Sequence, residues 1–242
     1  MFSLFKKRAP EAAVACVVPA AGAGSRMGGH YGDGKQLIDI GGVPLLVHTL
    51  TALQQAELID TVVVAARPEE LPEIARLVGD FALTKVAHVV CGGASRMSSV
   101  ALGMAALAPG YTHIAIHDGA RPCCPPELID AVVREALEYG AAIAALPPKD
   151  TVWREKDGRL GEELDRAALL CAQTPQVFPF DAFDAAIAYA MDQDKLCTDD
   201  ASVYALLNKP VRVVPGDVRN IKVTTPEDLP VAQLFLTGSA EF

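Results

Sequence analysis

Short apolar segments separated by helical stretches constrain this chain more than any other feature. Ala15–Val18, Thr61–Ala66, Val86–Val90, His113–Ile116 and Ala141–Leu146 are alanine-rich or β-branched runs of four to six residues, as expected of buried strands. Leu37–Ile40 reads as a further short strand. Between these runs, Pro44–Gln55, Glu69–Val78, Ser95–Leu107 and Pro126–Tyr139 have helical patterning, and proline opens both the first and the last. Strands that alternate with helices form a parallel sheet covered on both faces. In such a sheet, ligands gather outside the carboxyl ends of the strands. The turns that follow strands here are a glycine-rich loop from Pro19, Cys91-Gly92-Gly93, and His117-Asp118-Gly119-Ala120-Arg121-Pro122. They are expected to line one crevice.

The pattern changes at Lys149. Two short alternating segments flank Lys156-Asp157-Gly158-Arg159, which reads as a β-hairpin spanning about 149–168. An exposed hairpin suits an arm that pairs with another subunit, and a surface loop is the competing reading. Helices follow at Phe180–Met191 and, capped by Thr198-Asp199-Asp200, through Leu207. Val211–Val214 is a strand and Asn220–Val223 is extended. Thr225–Leu236 is a closing helix whose first turn carries Pro226, Glu227 and Asp228. No repeat or linker divides residues 1–242, so one domain is expected, with residues 1–13 as a frayed tail.

Val17–Gln36 carries the chemistry. Glycines allow backbone N–H groups to approach a ligand, and Arg26 and Lys35 add charge suited to a polyphosphate. A dinucleotide fingerprint fails because Met27 stands at the third glycine position. Gly29–Lys35 matches most of a phosphate-binding P-loop. However, Gln36 replaces the Ser or Thr that would hold magnesium, and no helix follows. A bland surface turn would account for Gly28–Gly34 alone.

Composition narrows the partners. A net charge of −9 and a pI near 5.0 argue against general nucleic-acid binding, so a phosphate ligand must meet local cations. The six cysteines include no C-x-x-C pair and read as small buried hydrophobes in a reducing compartment. The five histidines lack zinc spacing. No apolar run reaches the roughly 18 residues of a membrane span. A cytoplasmic protein that engages neither membrane nor nucleic acid is expected.

Nine motifs in order carry a resemblance: VVPAAGAGSRM, GKQ, CGGASRMSSV, HDGARP, KDT, LDR, QTPQ, TDDAS and NIKVTTPEDL. Together they resemble the 2-C-methyl-D-erythritol 4-phosphate cytidylyltransferases of the non-mevalonate isoprenoid route. The resemblance implies one Rossmann-like α/β domain, with a mostly parallel, helix-flanked sheet and a protruding hairpin arm. It implies transfer of CMP from CTP to a sugar-alcohol phosphate, with magnesium and release of pyrophosphate. Arg26 and Lys35 match the family's catalytic pair. Ala20, Ala21, Gly22, Gly92, Gly93, Ser99 and Gly119 match the nucleotide pocket, and Asp118 the carboxylate near ribose and metal. Arg166 and Lys222, with Thr151, Thr174 and Thr198, match the groups that hold the second substrate. The arm implies a homodimer with shared active sites.

The chain departs from the family in several places. Gly34 stands where proline is usual before the lysine, and the loop after Met27 is longer than usual. Asp200 replaces a common Glu, Gly119 a common Ala, and LLCA before QTPQ lacks an aromatic residue. No second, cyclase-like domain is expected after the last helix. A sister cytidylyltransferase acting on ribitol 5-phosphate and a non-catalytic nucleotide sensor remain the alternatives.

Overall fold

The computed structural model describes residues 12–22, 27 and 32–238. In chain order the elements are β1 (Val14–Pro19), β2 (Asp39–Ile40), β3 (Val43–Pro44), α1 (Leu45–Gln55), β4 (Thr61–Ala66) and α2 (Leu71–Asp80). Next come β5 (Val86–Cys91), α3 (Arg96–Ala105), β6 (His113–Ile116), α4 (Pro126–Tyr139), β7 (Ala142–Leu146), β8 (Val152–Lys156) and β9 (Arg159–Leu164). The series ends with β10 (Cys171–Pro179), α5 (Phe180–Asp192), α6 (Asp200–Ala205), β11 (Arg212–Pro215) and α7 (Asp228–Thr237).

Seven strands form one sheet in the order β11-β7-β10-β6-β1-β4-β5. Pairings are parallel except at β10, which runs antiparallel to both β6 and β7. The period-2 alternation of a strand explains why both faces are covered. In β1, Val14, Cys16 and Val18 face a core shared with Leu46, Leu50 and Leu53 of α1 and Ile129 and Val133 of α4. Ala15 and Val17 face the opposite core, built with Val100 and Met104 of α3, Phe183 of α5 and Tyr204 of α6. Phe178 of β10 stacks on Phe183 with ring centroids 4.7 Å apart and lies 4.9 Å from the Tyr204 ring. A third cluster joins Met27, Ile40, Leu45, Ala120, Cys123, Val223 and Ala232, tying the turn after β6 to α7.

Several expectations need correction. Leu37–Ile40 is not one strand: Gly32–Leu37 is a 3-10 helix, and Asp39–Ile40 pairs with Val43–Pro44. β10 has no counterpart in the pattern read from sequence, because Gln173, Thr174 and Gln176 put polar side chains into a buried strand. Asn220–Val223 joins no ladder. The last helix starts at Asp228 rather than Thr225, because the Asp228 carboxylate accepts the N–H groups of Thr224 (2.7 Å) and Thr225 (2.9 Å). Cys16, Cys123 and Cys124 are buried, whereas Cys91 and Cys171 are exposed. The tail expected at residues 1–13 falls largely outside the described residues. Among the described residues, no helix is long and apolar enough to cross a membrane.

The hairpin forms as expected. β8 and β9 pair from Val152↔Leu164 to Lys156↔Arg159. Asp157 and Gly158 turn the chain with φ of 51° and 74°, as a two-residue turn matched to strand twist requires. Both faces of the ribbon are largely exposed, Trp153 and Leu160 included.

Phe178→Ala removes the ring on which two aromatic neighbours rest. Urea unfolding should show a loss of about 3–5 kcal/mol, and a loss below about 1 kcal/mol would mean the aromatic cluster does not anchor α5 and α6.

Candidate functional site

The sheet has a switch point at β1. The chain moves from β1 to β4 and β5 on one side, then returns to β6 on the other. Open α/β sheets bind ligands in the crevice beyond the strand ends at such a point. A cavity of about 500 Å³ lies there, lined by Ala21 and Gly22 after β1, Gly93–Arg96 after β5 and Asp118–Ala120 after β6, with Lys35 and Lys222 among the remaining residues.

Close backbone packing shapes one wall. Ala20 N–H donates to Ala65 O and Gly92 N–H to Ala66 O, both at 2.7 Å. A Cβ on Gly92 would stand 2.4 Å from Ala21 Cβ and 3.0 Å from Ser99 Oγ, so glycine is required. Gly93 N–H donates to Ser99 Oγ at 3.1 Å. Ser95 and Ser98 cap α3 reciprocally: Ser95 Oγ accepts Ser98 N–H at 3.0 Å, and Ser98 Oγ accepts Ser95 N–H at 2.8 Å.

The opposite wall is electrostatic. Asp118 is buried, and its backbone N–H donates to Thr174 Oγ1 at 3.0 Å. Arg96 Nη2 and Nε donate to its Oδ1 at 3.1 and 3.2 Å. Lys222 Nζ reaches Oδ2 at 2.9 Å, and Arg121 Nε the same oxygen at 3.4 Å. Burial alone would raise the Asp118 carboxyl, but Arg96, Lys222 and Arg121 together hold it well below the usual carboxylate range. Behind Arg96 stands Asp200, whose Oδ2 is 2.7 Å from Arg96 Nη2. Burial raises the Asp200 carboxyl, and Arg96 opposes that rise only in part. Thr174 Oγ1 also lies 3.1 Å from Nδ1 of His117. Burial, with Arg121 nearby, pulls this imidazole down to about 3 and keeps it neutral.

The residues singled out from sequence divide into groups. Lys35, Ala21, Gly22, Gly93, Ser99, Asp118, Gly119 and Lys222 line the cavity. Ala20 and Gly92 pack behind that lining, and Thr174 sits beneath Asp118. Arg26 lies outside the described residues. Arg166, Thr151 and Thr198 do not line the cavity. Arg166 sits in a 3-10 turn after β9, exposed, with Nη1 donating to Lys149 O at 2.6 Å. Thr151 is exposed beside the foot of the hairpin, and Thr198 is exposed just before Asp199, the N-cap of α6.

Sequence reasoning gave no role to Arg96, Arg121 or Gln36, although all lie at the site. One signal was available for Arg96. A cation in the first turn of a helix opposes the helix dipole, so an arginine directly after a well-formed serine cap needs a countercharge. It has two.

The donor set suits a magnesium nucleotide. Magnesium takes one or two carboxylates and completes its shell with water and phosphate oxygens, so Asp118, charged and at the cavity, fits. Among the described residues, no cluster of three or more His, Cys, Asp or Glu side chains could hold a metal by itself. Lys35 and Arg96 supply positive charge of the kind a triphosphate requires, and Lys222 adds a cation at the same cavity.

Comparison with known proteins agrees with this geometry. The family model described as IspD: 2-C-methyl-D-erythritol 4-phosphate cytidylyltransferase matches residues 14–238. The 2-C-methyl-D-erythritol 4-phosphate cytidylyltransferase of Pelotomaculum thermopropionicum is 43% identical over 225 residues, 92% of this chain and 94% of that protein. That of Geobacillus kaustophilus is 40% identical over 222 residues, 92% and 96% respectively. The crystal structure of 4-diphosphocytidyl-2C-methyl-D-erythritol synthase from Anaerococcus prevotii superposes with a TM-score of 0.81 at 26% identity, covering 93% of this chain and 98% of that one. The cytidylyltransferase structure from Thermus thermophilus gives 0.75 at 31% identity, covering 90% and 96%.

Asp118→Asn would leave three cations facing one another. At pH 7 the variant should lose about 3–5 kcal/mol of stability in denaturant titrations. Because folding lowers the Asp118 pKa, the contribution is fully present above the unfolded carboxyl value of about 3.9 and fades as pH falls further. The gap between wild type and variant should therefore stay constant from pH 7 to about 5 and narrow below about 4. A gap that narrows already between pH 7 and 5 would contradict this assignment.

Proposed function

The chain belongs to the 2-C-methyl-D-erythritol 4-phosphate cytidylyltransferase family, and from that premise we propose that it transfers CMP from CTP to 2-C-methyl-D-erythritol 4-phosphate. The products are 4-diphosphocytidyl-2-C-methyl-D-erythritol and pyrophosphate, on the non-mevalonate route to isoprenoid precursors. The observation that carries the reading is the cavity at the switch point, where one buried carboxylate faces several cations.

In this reaction an oxygen of the acceptor phosphate forms a bond to the α-phosphorus of CTP. The bond from that phosphorus to the bridging oxygen breaks, and pyrophosphate leaves with the electron pair. Negative charge spreads over the equatorial and leaving oxygens, so the protein must supply positioned cations rather than a covalent nucleophile. We assign Lys35, with Arg26, to that charge. Ala20, Ala21, Gly22, Gly92, Gly93, Ser99 and Gly119 form the nucleotide pocket, where backbone groups read the cytosine edge. Asp118 takes the ribose and metal side. Bound magnesium would neutralise phosphate charge and hold the triphosphate in line.

Lys222, Arg166, Thr151, Thr174 and Thr198 are assigned to the acceptor. Two of these, Arg166 and Thr151, stand at the foot of the hairpin and away from the cavity of their own chain. That placement supports a homodimer in which the arm of one subunit serves the cavity of the other. The exposure of both faces of the arm supports the same reading, because a two-stranded ribbon alone is marginally stable. We read the chain as one nucleotidyltransferase domain working in the cytoplasm, where CTP is made.

Purified protein with CTP and magnesium should release pyrophosphate with 2-C-methyl-D-erythritol 4-phosphate and not with ribitol 5-phosphate. Release with ribitol 5-phosphate alone would reassign the acceptor, and release with neither would leave a nucleotide sensor. Lys35→Ala should lower turnover by roughly 10²–10³, the effect of removing one charge-stabilising donor. Full turnover in that variant would remove Lys35 from the mechanism while leaving the fold intact.

A further inference from the structure

Asp200 belongs to the charged cluster, yet the reaction as assigned gives it no part. It opens α6, and its side chain is 2% exposed. Its place is fixed from two sides. Asp199 and Ser202 form a reciprocal cap around it. From β10, Gln176 accepts Ala201 N–H at 2.7 Å and donates to Asp199 Oδ2 at 3.0 Å.

The distances show where Arg96 is anchored. Charge-assisted N–H···O contacts settle near 2.7–2.9 Å. Arg96 Nη2 stands 2.7 Å from Asp200 Oδ2, a close ion pair in which no N–H is aligned on that oxygen, whereas its aligned hydrogen bonds to Asp118 are longer, at 3.1 and 3.2 Å. Arg121 behaves in the same way: Nη1 donates to Asn220 O at 2.7 Å, while Nε stays 3.4 Å from Asp118. Both arginines therefore reach Asp118 at long range and stand closer to a group elsewhere, Arg121 by a hydrogen bond to Asn220 and Arg96 by its ion pair with Asp200. Lys222, at 2.9 Å, is the close partner among the described contacts.

We propose that Asp200 is a positioning residue that acts through Arg96: it draws the guanidinium back so that Asp118 remains open to the magnesium nucleotide. The proposal rests on the function assigned above. Without the Asp200 charge, Arg96 has Asp118 as its remaining carboxylate and closes on it. Arg96 then competes with magnesium for the same oxygens. The cavity also gains one unit of net positive charge, which favours a bare triphosphate. Loss of Asp200 thus has opposite effects on the nucleotide and on the metal.

The test is calorimetric, with turnover measured alongside. In Asp200→Asn, CTP titrated in the presence of a chelator should bind about three- to tenfold more tightly than in wild type, as expected for one charge removed nearby. Magnesium chloride titrated into the protein–CTP complex should bind several-fold more weakly, and kcat should fall about tenfold. Asp200→Glu, which keeps the charge, should move both affinities back toward wild type. In an Arg96→Gln background, Asp200→Asn should leave magnesium affinity unchanged, because the group it acts through is gone. Weaker binding of both CTP and magnesium, with a lowered melting temperature, would reduce Asp200 to a structural role and overturn the proposal. An undiminished magnesium effect in the Arg96→Gln background would overturn it as well. Failure of the functional reading is separately visible, as a wild-type protein that binds CTP but releases no pyrophosphate.

Discussion

A carboxylate buried at the carboxyl end of β6 dictates how the surrounding segments meet. Stripped of water, a charged Asp118 costs several kcal/mol unless cations replace the solvent. Among the described residues three do so, from separate places: Arg96 from the start of α3, Arg121 from the turn after β6, and Lys222 from the stretch before α7. Satisfying one side chain therefore pins the ends of β5 and β6 and the C-terminal segment to one point. The same arrangement settles the polar character of β10. Asn220 Nδ2 donates to Thr174 O at 2.8 Å and Gln173 Nε2 to Asp217 O at 3.0 Å, fastening the segment that carries Lys222 to the strand beneath Asp118.

This coupling explains what could and could not be read from the residues alone. Strands β1, β4, β5, β6 and β7 were legible because sheet interiors demand continuous apolar runs, and a run such as TVVVAA has few other uses. The crevice was legible too, since its turns follow those strands. Lys222 came from resemblance, and a local argument stands beside it: an ammonium in an apolar stretch needs a partner or water, and it pairs with Asp118. β10 was not legible, because its polar residues serve a hydrogen-bond network that exists only once distant segments have met. The Arg96–Asp200 pair was hidden for the same reason. The dipole conflict at α3 announces that Arg96 needs an anion, but nothing local says which one. Arg166, Thr151 and Thr198 came from resemblance, and their own chain does not bring them to the cavity.

The cap of α3 explains why side chains carry so much of the work. Phosphate-binding loops usually offer the free N–H groups of a helix N-terminus, a fixed source of positive potential. Here, Ser95 Oγ already accepts Ser98 N–H, and Ser99 N–H donates to Ser95 O at 3.0 Å. With the Ser98 donor engaged, ammonium and guanidinium groups at the cavity add to the grip on a triphosphate. Such groups repel one another when the cavity holds no anion, and the chain as a whole, at −9, offers no general positive field. A resident carboxylate resolves the conflict by standing in for the ligand while the site waits. Its partners must then be able to leave it, which favours long contacts with Asp118 and short ones elsewhere. The arginine distances follow that rule: each stands closer to a group outside the cavity than to the carboxylate it would share with substrate.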